Sequence, residues 1–566
     1  LYDRYIYIQM PGGLLNLVAY GNQNVYLNGN PSKTFFKTTY KKYTNFGLQK
    51  FRIDFDGQRN LRTTESSKFT FRMKRYAELL MDTYLVVQLP TVWSPIYPPQ
   101  DCSSNWAPYE FKWIDDLGTQ MIEEVEISVG GQTLNKYSGA YLLAMVQRDF
   151  STEKKALYDN MTGNISELND PGNVAPRVNA YPNAYYTDST QGPEPSIRAR
   201  KLYIPINFWF TMAAKMAFPL VALQYNELEI NITLRPIQEL IVIRDIEDQE
   251  NNYPYIQPNF NDPLQQFYRF LQPPPDVALS NTSYQDKRTN WNADIHLIST
   301  YGFLTEEESK VFAAQEQKYL FKSVYDWKFS NVTGSQRVKL ESTMGMISSW
   351  MWTFQRSDIN LRNEWSNYTN WPYKELPKNS TYADPSGNWS VPDCSGGTNI
   401  GPGYNPLENP IFGHSSGLVT TGVFHPENQR DILLQLGILL DGKYRENVLD
   451  EGIYNYVEKY VRTSGNAPDG LYNYSFAIHN DPFDFQPSGA MNMSKFKDIQ
   501  LEFTTYSPPL DPNAQVFDIC DSSGNLIGVN KPSWRIYDYN YDMTVFEERY
   551  NVITFVGGNC GLMYAR

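Results

Sequence analysis

The chain is predicted to be all-β: two similar jelly-roll-type sandwiches in tandem, with long loop insertions and a few short helices. Three observations predict this. Aromatics make up 15% of the 566 residues, and 35 Gly and 36 Pro are spread along the whole length. Aromatic side chains suit pleated surfaces, while Gly and Pro suit turns. Apolar residues recur at period two in many short segments bounded by turn residues. The order strand, two-residue turn, short helix, strand, loop, strand occurs near 124–235 and again near 433–505. A period of that size is too long for a solenoid repeat, so two β domains account for it better.

Residues 10–34 fail every test for a core element. Gly12, Gly13, Gly21, Gly29 and Pro31 interrupt them, and neither a helical nor a strand period runs through, which predicts an extended arm lying on something else. Phe35, Phe36, Tyr40, Tyr43 and Phe46, interleaved with Lys33, Lys37, Lys41 and Lys42, predict an aromatic anchor into the first sandwich. Phe69, Phe71 and Met73 alternate with Thr70, Arg72 and Lys74, which is one buried and one wet face of a strand. Tyr84 to Leu89 is a more fully buried strand, ended by Pro90. Residues 91–113 are a long Pro-, Ser- and Trp-containing surface loop.

Val125, Ile127 and Val129 alternate with Glu124, Glu126 and Ser128, and Gly130-Gly131 supplies a hairpin turn that needs positive φ. Gln132 to Tyr137 returns, and Leu142, Met145, Val146 and Phe150 have helical spacing. Residues 160–197 form a second large loop. Leu202 to Phe210 reads as an aromatic strand, and Leu228, Ile230, Ile232 and Leu234 mark another. Residues 245–290 are a third insert. After a strand over Ile295 to Phe303, Thr305 with Glu308 makes a capping box for a helix to about Leu320, the candidate joint between domains.

In the second half a strand near Val338 to Leu340 precedes a fourth insert at 356–430. Leu434, Leu436, Ile438 and Leu440 then alternate, Asp441-Gly442 makes a second two-residue turn, and Tyr454 to Arg462 is helical. Strands follow at Leu471 to Ile478 and Ile499 to Phe503, and Tyr537 to Val545 alternates near the end. The domains expected are an N-terminal arm at 1–34, a first roll at 35–316 and a second at 317–566.

Bulk properties exclude several function classes. Mean hydropathy is -0.50, and there is no apolar run of the roughly 18 residues that a membrane span needs. The opening LYDRYIYIQM lacks the apolar stretch of a secretory signal. A net charge of -13 without a basic tract disfavours direct nucleic-acid binding and suits solubility at high concentration. Cys102, Cys394, Cys520 and Cys560 are far apart and read as free thiols.

No catalytic, cofactor or metal set is expected. Gly437, Gly442 and Lys443 match G-x-x-x-x-G-K, but Tyr444 stands where a phosphate loop needs Ser or Thr, and the interior is strand-periodic. Gly413, Ser415 and Gly417 match G-x-S-x-G inside a loop-rich stretch, away from the strand-to-helix turn that a nucleophile elbow requires. His296, His414, His425 and His479 lack metal spacing. Glu123, Glu124 and Glu126 resemble paired carboxylates, but Glu124 and Glu126 fall on the wet face of a strand. Ten N-x-S/T sequons occur. Asn281, Asn367, Asn379 and Asn388 are the candidates for N-glycosylation, the last three on a predicted exposed loop.

Long segments resemble the major capsid proteins of nucleocytoplasmic large DNA viruses. The opening MPGGLLNLVAYGNQNVYLNGNPSKTFFKTTYKKYTNF is similar to that family's GGL…LVAYG…VYL.GNP…TFFK..Y.RYTNF pattern. KLYIPINFWF and FPLVALQYNELEINITLRP are similar to its LYVPL.FWF and PLIALQYHEV pair, with Asn226 where many relatives carry His. YSFAIHNDPFDFQPSGAMNMS and the closing VITFVGGNCGLMYAR also match family elements, and SGNAPDGLYNY, KPSWRIYDY and FEERYN look most like the mimivirus-related branch.

The resemblance implies a double jelly roll of two eight-stranded sandwiches, with no enzymatic activity. It implies a homotrimeric, pseudo-hexagonal capsomer of an icosahedral shell, in which three subunits of two rolls give six barrels. The implied partners are neighbouring capsomers, with minor capsid and penton proteins at the inner face and an inner viral membrane met only indirectly. The implied location is the virion, assembled at cytoplasmic virus factories. The competing class is a carbohydrate-binding or carbohydrate-active β-sandwich, with Trp93, Trp106, Trp365, Trp371 and Trp389 stacking on sugars.

Overall fold

A computed structural model describes residues 12–57, 60–95, 109–177, 181–184, 194–248, 254–274, 284–341, 344–374, 429–511, 517–530 and 536–564. It has two compact units, Leu1–Phe46 and Gly47–Arg566. Strands of the first half are β1 (Phe46–Ile53), β2 (Ser67–Met73), β3 (Leu79–Gln88), β4 (Phe111–Trp113), β5 (Ile122–Val129), β6 (Gln132–Ser138), β7 (Lys201–Pro205), β8 (Phe218–Pro219), β9 (Leu228–Leu234), β10 (Ile241–Arg244), β11 (Tyr255–Ile256) and β12 (His296–Leu304). Those of the second are β13 (Gln317–Phe329), β14 (Ser335–Lys339), β15 (Met346–Arg356), β16 (Leu433–Leu440), β17 (Lys443–Asp450), β18 (Leu471–Ser475), β19 (Met491–Asn492), β20 (Ile499–Thr505), β21 (Phe517–Cys520), β22 (Leu526–Asn530), β23 (Tyr541–Val556) and β24 (Asn559–Leu562).

The sheets repeat. The first half orders its strands β1-β12-β3-β7 and β2-β9-β5-β6; the second orders them β13-β23-β15-β18 and β14-β20-β16-β17. Numbered within its own half, each set of sheet strands reads first-eighth-third-sixth and second-seventh-fourth-fifth. That is a jelly roll, made twice. Strands β4, β10 and β11 form a small extra sheet, and β21 and β22 a separate hairpin.

Period-two patterning accounts for the cores. In β2, Phe69, Phe71 and Met73 are buried beside Ile232, Ile230 and Leu228 of β9, their antiparallel partners. Between the two sheets of the second roll, Trp350, Trp352 and Phe354 of β15 pack with Met543 and Val545 of β23 and with Leu501 and Phe503 of β20. Each such side chain removed from water contributes about 1.5–3 kcal/mol, and the rings meet edge-on, as Phe354 does with Phe503 at 5.2 Å.

Both predicted two-residue turns hold. Gly130 and Gly131 have φ of 57° and 83°, and Asp441 and Gly442 have 49° and 76°. Left-handed backbone at both central residues matches the twist of the flanking strands. Asp441 tolerates it because its Oδ1 accepts the backbone N–H groups of Lys497 and Asp498, each at 2.9 Å.

Several expectations are corrected. The helix after Thr305 stops at Ala314, and Gln317 opens β13, which pairs with β23 along its full length. Only one half of the expected capping box forms, the Thr305 hydroxyl accepting from the Glu308 N–H. The 91–113 segment is not all surface loop, since Phe111–Trp113 is a strand paired with β10 and its Phe111 and Trp113 are buried. The 245–290 insert sends Phe267 and Phe270 into the core, and the 160–197 segment contains the helical turn Ser166–Asn169. The strand at Leu202 ends at Pro205, and Trp209–Met212 is helical. In the smaller unit, Gly12–Val18 and Val25–Asn28 are helical turns, not extended chain. Of the 356–430 insert, residues 375–428 lie outside the described residues.

Candidate functional site at the seam between the rolls

The helix Gly139–Asp149 follows the fifth strand of the first roll. Ser138 caps it, its hydroxyl accepting from the Tyr141 N–H at 3.3 Å. Gly139 lets its first turn press onto the chain beneath, where an added Cβ would stand 2.1 Å from the Ile122 carbonyl oxygen. Apolar residues surround the helix because both faces are covered, one by its own roll and the other by the second.

The contact with the second roll is polar at its centre. Arg148 donates to Glu548 Oε1 of β23 at 2.9 Å and forms a two-pronged pair with Asp149 at 2.8 and 2.7 Å. Tyr141 Oη donates to the same Glu548 oxygen at 2.9 Å, Ser349 Oγ donates to the other at 2.8 Å, and Lys322 Nζ stands 3.3 Å from it. The ring of Tyr141 packs 5.9 Å from that of Phe546. Burial works against charge on Glu548, but Arg148 and Lys322, with the Ser349 and Tyr141 hydroxyls, outweigh it and hold the carboxyl below its usual range. Asp149 is pushed upward, because burial there outweighs the same guanidinium.

A cavity of about 70 Å³ adjoins this network, lined among others by Tyr137, Tyr141, Trp209, Lys322 and Glu548. Of its charged groups, Arg148, Asp149, Lys322 and Glu548 are engaged with one another, while Asp484 accepts from the Gln486 N–H and stands 3.7 Å from His479. Chemically the arrangement is a lock: it fixes one roll against the other, and a stranded partner would be costly.

The nominated residues are dispersed. Asn367 is fully buried, not on an exposed loop: its Nδ2 donates to the Trp371 carbonyl at 2.9 Å, and its Oδ1 accepts from Thr369. The folded chain therefore has no room for a glycan there. Asn281, Asn379 and Asn388 lie outside the described residues, as do Gly413 to Gly417, His414, His425, Trp106, Trp389, Cys102 and Cys394. Gly437 to Lys443 spans the β16–β17 hairpin. His296 is buried with its ring against the Asp294 carbonyl, and His479 is exposed. Glu124 pairs with Lys136 at 2.7 Å, and Glu126 accepts from Thr133, as a solvated strand face requires. Trp365 donates to the Glu239 carbonyl at 2.9 Å with Arg235 over its ring at 4.4 Å, so that face is taken. Cys520 and Cys560 are free thiols.

The arm is the other surface that stands out. Every described residue of Gly12–Val18 is exposed, and Phe36 is 99% exposed, with Phe35, Tyr40 and Tyr43 nearly as open. Sequence reasoning missed the seam. Arg148 sits in a helix with no pairing signal, and its partner lies in the longest strand, marked only by the alternation of its first residues.

Comparison with known proteins follows the same architecture. Residues 34–271 match the family described as major capsid protein N-terminus, and residues 308–561 match large eukaryotic DNA virus major capsid protein. The major capsid protein of Phaeocystis pouchetii virus is 26% identical over 98% of this chain and 100% of its own length. That of Chrysochromulina ericina virus is 35% identical over 41% of this chain and 42% of its own. In structure, the chain is similar to the PBCV-1 virus capsid protein (TM-score 0.56, 18% identity, 94% of this chain and 100% of that one). It is also similar to the Faustovirus major capsid protein (TM-score 0.56, 10% identity, 92% of each chain). At such identities these two likenesses speak for the fold alone.

Proposed function

The chain belongs to the large eukaryotic DNA virus major capsid proteins, and from that premise we propose that it assembles as a homotrimeric, pseudo-hexagonal capsomer. As a family member it is a structural protein of the virion, not an enzyme, and it associates with copies of itself and with neighbouring capsomers. The observation that carries the trimer is the doubled strand order. Each chain supplies two rolls of the same topology, so three chains supply the six barrels of a hexagonal tile.

Within this reading the arm is residues 1–34, the first roll 35–316 and the second 317–566. Strand β12 ending at Leu304 and β13 opening at Gln317 support the later boundary. The inserts at 91–113, 160–197, 245–290 and 356–430 supply mostly the outward face and the contacts between subunits. Minor capsid and penton proteins meet the inner face, the inner membrane is met only indirectly, and assembly takes place at cytoplasmic virus factories; these rest on the family resemblance. Glycans, where present, are placed at Asn281, Asn379 and Asn388. Light scattering on the purified chain tests the trimer: a mass three times 65.4 kDa is expected, and a single-chain mass overturns it.

A further inference from the structure

The helix that follows the fifth strand of the second roll contains a π turn, Ile453–Val457, running into Glu458–Arg462. It carries an acid, an amide and an amine four residues apart: Glu451, Asn455 and Lys459. Residues at that spacing share one helix face, and here the face turns inward. Asn455 and Lys459 are buried and Glu451 is half-buried. π turns inside helices occur frequently at functional positions, and none of these three groups belongs to the lock at the seam.

The amine and the amide are held together by a fixed loop. Lys459 Nζ stands 2.8 Å from Asn455 Oδ1 and donates to the Pro468 carbonyl at 2.8 Å. The Gly470 N–H donates to the same Asn455 oxygen at 3.3 Å. Gly470 has a left-handed φ of 86°, and a Cβ there would meet the Tyr368 carbonyl oxygen at 2.8 Å, so the loop that grips both groups is itself pinned. Burial lowers the Lys459 ammonium to about 8, with Asp469 and Glu451 opposing, so part of the amine is neutral near neutral pH. Glu451 is pushed the other way. Burial, with Asp431, Asp450 and Asp469 nearby, raises its carboxyl, and the neighbouring Asn455 amide opposes the rise. Glu451 Oε2 and Asn455 Nδ2, an acceptor and a donor, are both buried without a hydrogen bond among the described residues. A neutral amine, an amide whose oxygen is already held by an N–H, and an acid beside that amide are the parts of an acyl transfer.

We propose that Lys459 and Asn455 become joined by an isopeptide bond, made by the folded chain without an added reagent. The Nζ lone pair attacks Asn455 Cγ, and the carbonyl electrons move onto Oδ1, where the Gly470 N–H holds the developing charge. Glu451 in its protonated form gives a proton to Nδ2 and takes one from Nζ, so it ends as it began. The Cγ–Nδ2 bond breaks, ammonia leaves, and Nζ and Cγ remain as an amide; nothing is oxidised or reduced. The product has neither the buried ammonium nor the unpartnered amide donor, both of which burial penalises. The reaction is slow, because most copies of Lys459 still carry their proton near neutral pH and an amide is a poor electrophile. The newly made chain therefore holds the free pair, and the bond accumulates as the protein ages.

The test is mass spectrometry of the full-length chain, fresh and after days of storage, with a tryptic map of each. The aged wild type is expected to be lighter than its sequence by one ammonia. Trypsin cuts the fresh chain after Arg445, Lys459 and Arg462, giving residues 446–459 and 460–462; in the aged chain 446–462 stays whole because Lys459 is capped. Lys459→Arg keeps a cation at the site and is expected to hold its full mass. Glu451→Gln cannot relay the proton and is expected to lose ammonia about a hundredfold more slowly. Circular dichroism checks that both variants fold, and the wild-type map decides the matter without them. An aged wild type at full mass, still cut after Lys459, overturns the bond. Ammonia loss that persists in Lys459→Arg also overturns it, since closure of Asn455 on its own backbone needs no lysine. A Glu451→Gln chain that ages at the wild-type rate overturns the part assigned to the acid.

Discussion

Arg148 and Glu548 lie 400 residues apart in sequence and meet at 2.9 Å with both side chains essentially excluded from solvent. Neither group is tolerable there alone, because a buried charge without a partner costs several kcal/mol. The pair is therefore a condition on how the two rolls sit together. Arg148→Met takes from Asp149 its two-pronged partner and leaves Glu548 to Lys322, Ser349 and Tyr141, and is expected to cost about 3–5 kcal/mol in chemical denaturation. Glu548→Gln leaves Arg148 its two-pronged bond to Asp149 and is expected to cost less. Equal losses, or a strong salt dependence of either, would contradict the buried-lock account.

Lys459 gives a pH signature. Burial lowers its ammonium to about 8, although Nζ donates to Asn455 Oδ1 and the Pro468 carbonyl, each at 2.8 Å. Between pH 8 and the unfolded value near 10.4, the unfolded chain binds a proton that the folded one does not. Stability from this group therefore rises with pH across that window. Subtracting Lys459→Met from wild type in denaturation series at pH 7, 8, 9 and 9.5 should isolate the rise. A flat difference would show that the lysine is not held against its charge.

Gly139 and Gly452 stand in the first turns of the helices that follow the fifth strand of each roll, but answer differently to alanine. At Gly139 a Cβ would meet backbone oxygens at 2.1 and 2.4 Å, so the helix must move and Gly139→Ala is expected to cost about 1–3 kcal/mol or more. At Gly452 the nearest atom is a Tyr456 ring carbon at 3.6 Å, and alanine should be neutral or mildly stabilising. Thermal melts of the two variants check the contrast.

Asn367 is a sequon without access. Peptide mass spectrometry of protein made in a glycosylating host is expected to find Asn367 unmodified. Asn367→Ala, which strands the Trp371 carbonyl and the Thr369 donors, should cost about 1–3 kcal/mol. A glycan at Asn367 in folded protein would refute the burial.

Deleting residues 1–34 removes the arm, which lies within a compact unit of its own, Leu1–Phe46. The truncated chain is expected to melt like the full one and keep its mass in light scattering, while particle yield in an assembly assay falls. Unchanged yield would remove the arm from assembly.

How much was legible follows from the range of each interaction. The strands over Phe69 to Met73 and Leu228 to Leu234 were readable because their alternation is local and one-faced. The Gly130 and Asp441 turns were readable because left-handed backbone restricts which residues can stand there. Strand β15 was missed because both its faces are buried. Ser348 to Phe354 is buried throughout, so no period survives. The helix expected to reach Leu320 was overrun because a cap signals where a helix starts, whereas pairing with β23 sets where β13 begins.

The sequence by itself determined the doubled β architecture, its turns and the capsid family, since these rest on short-range patterning and on long motifs in fixed order. Only the tertiary structure decided which surfaces are free. The same helix, built twice, is covered in one roll and open in the other, and burial is a property of what lies across the gap. It brought Arg148 to Glu548, buried Asn367, and left Tyr460 and Leu48 facing water.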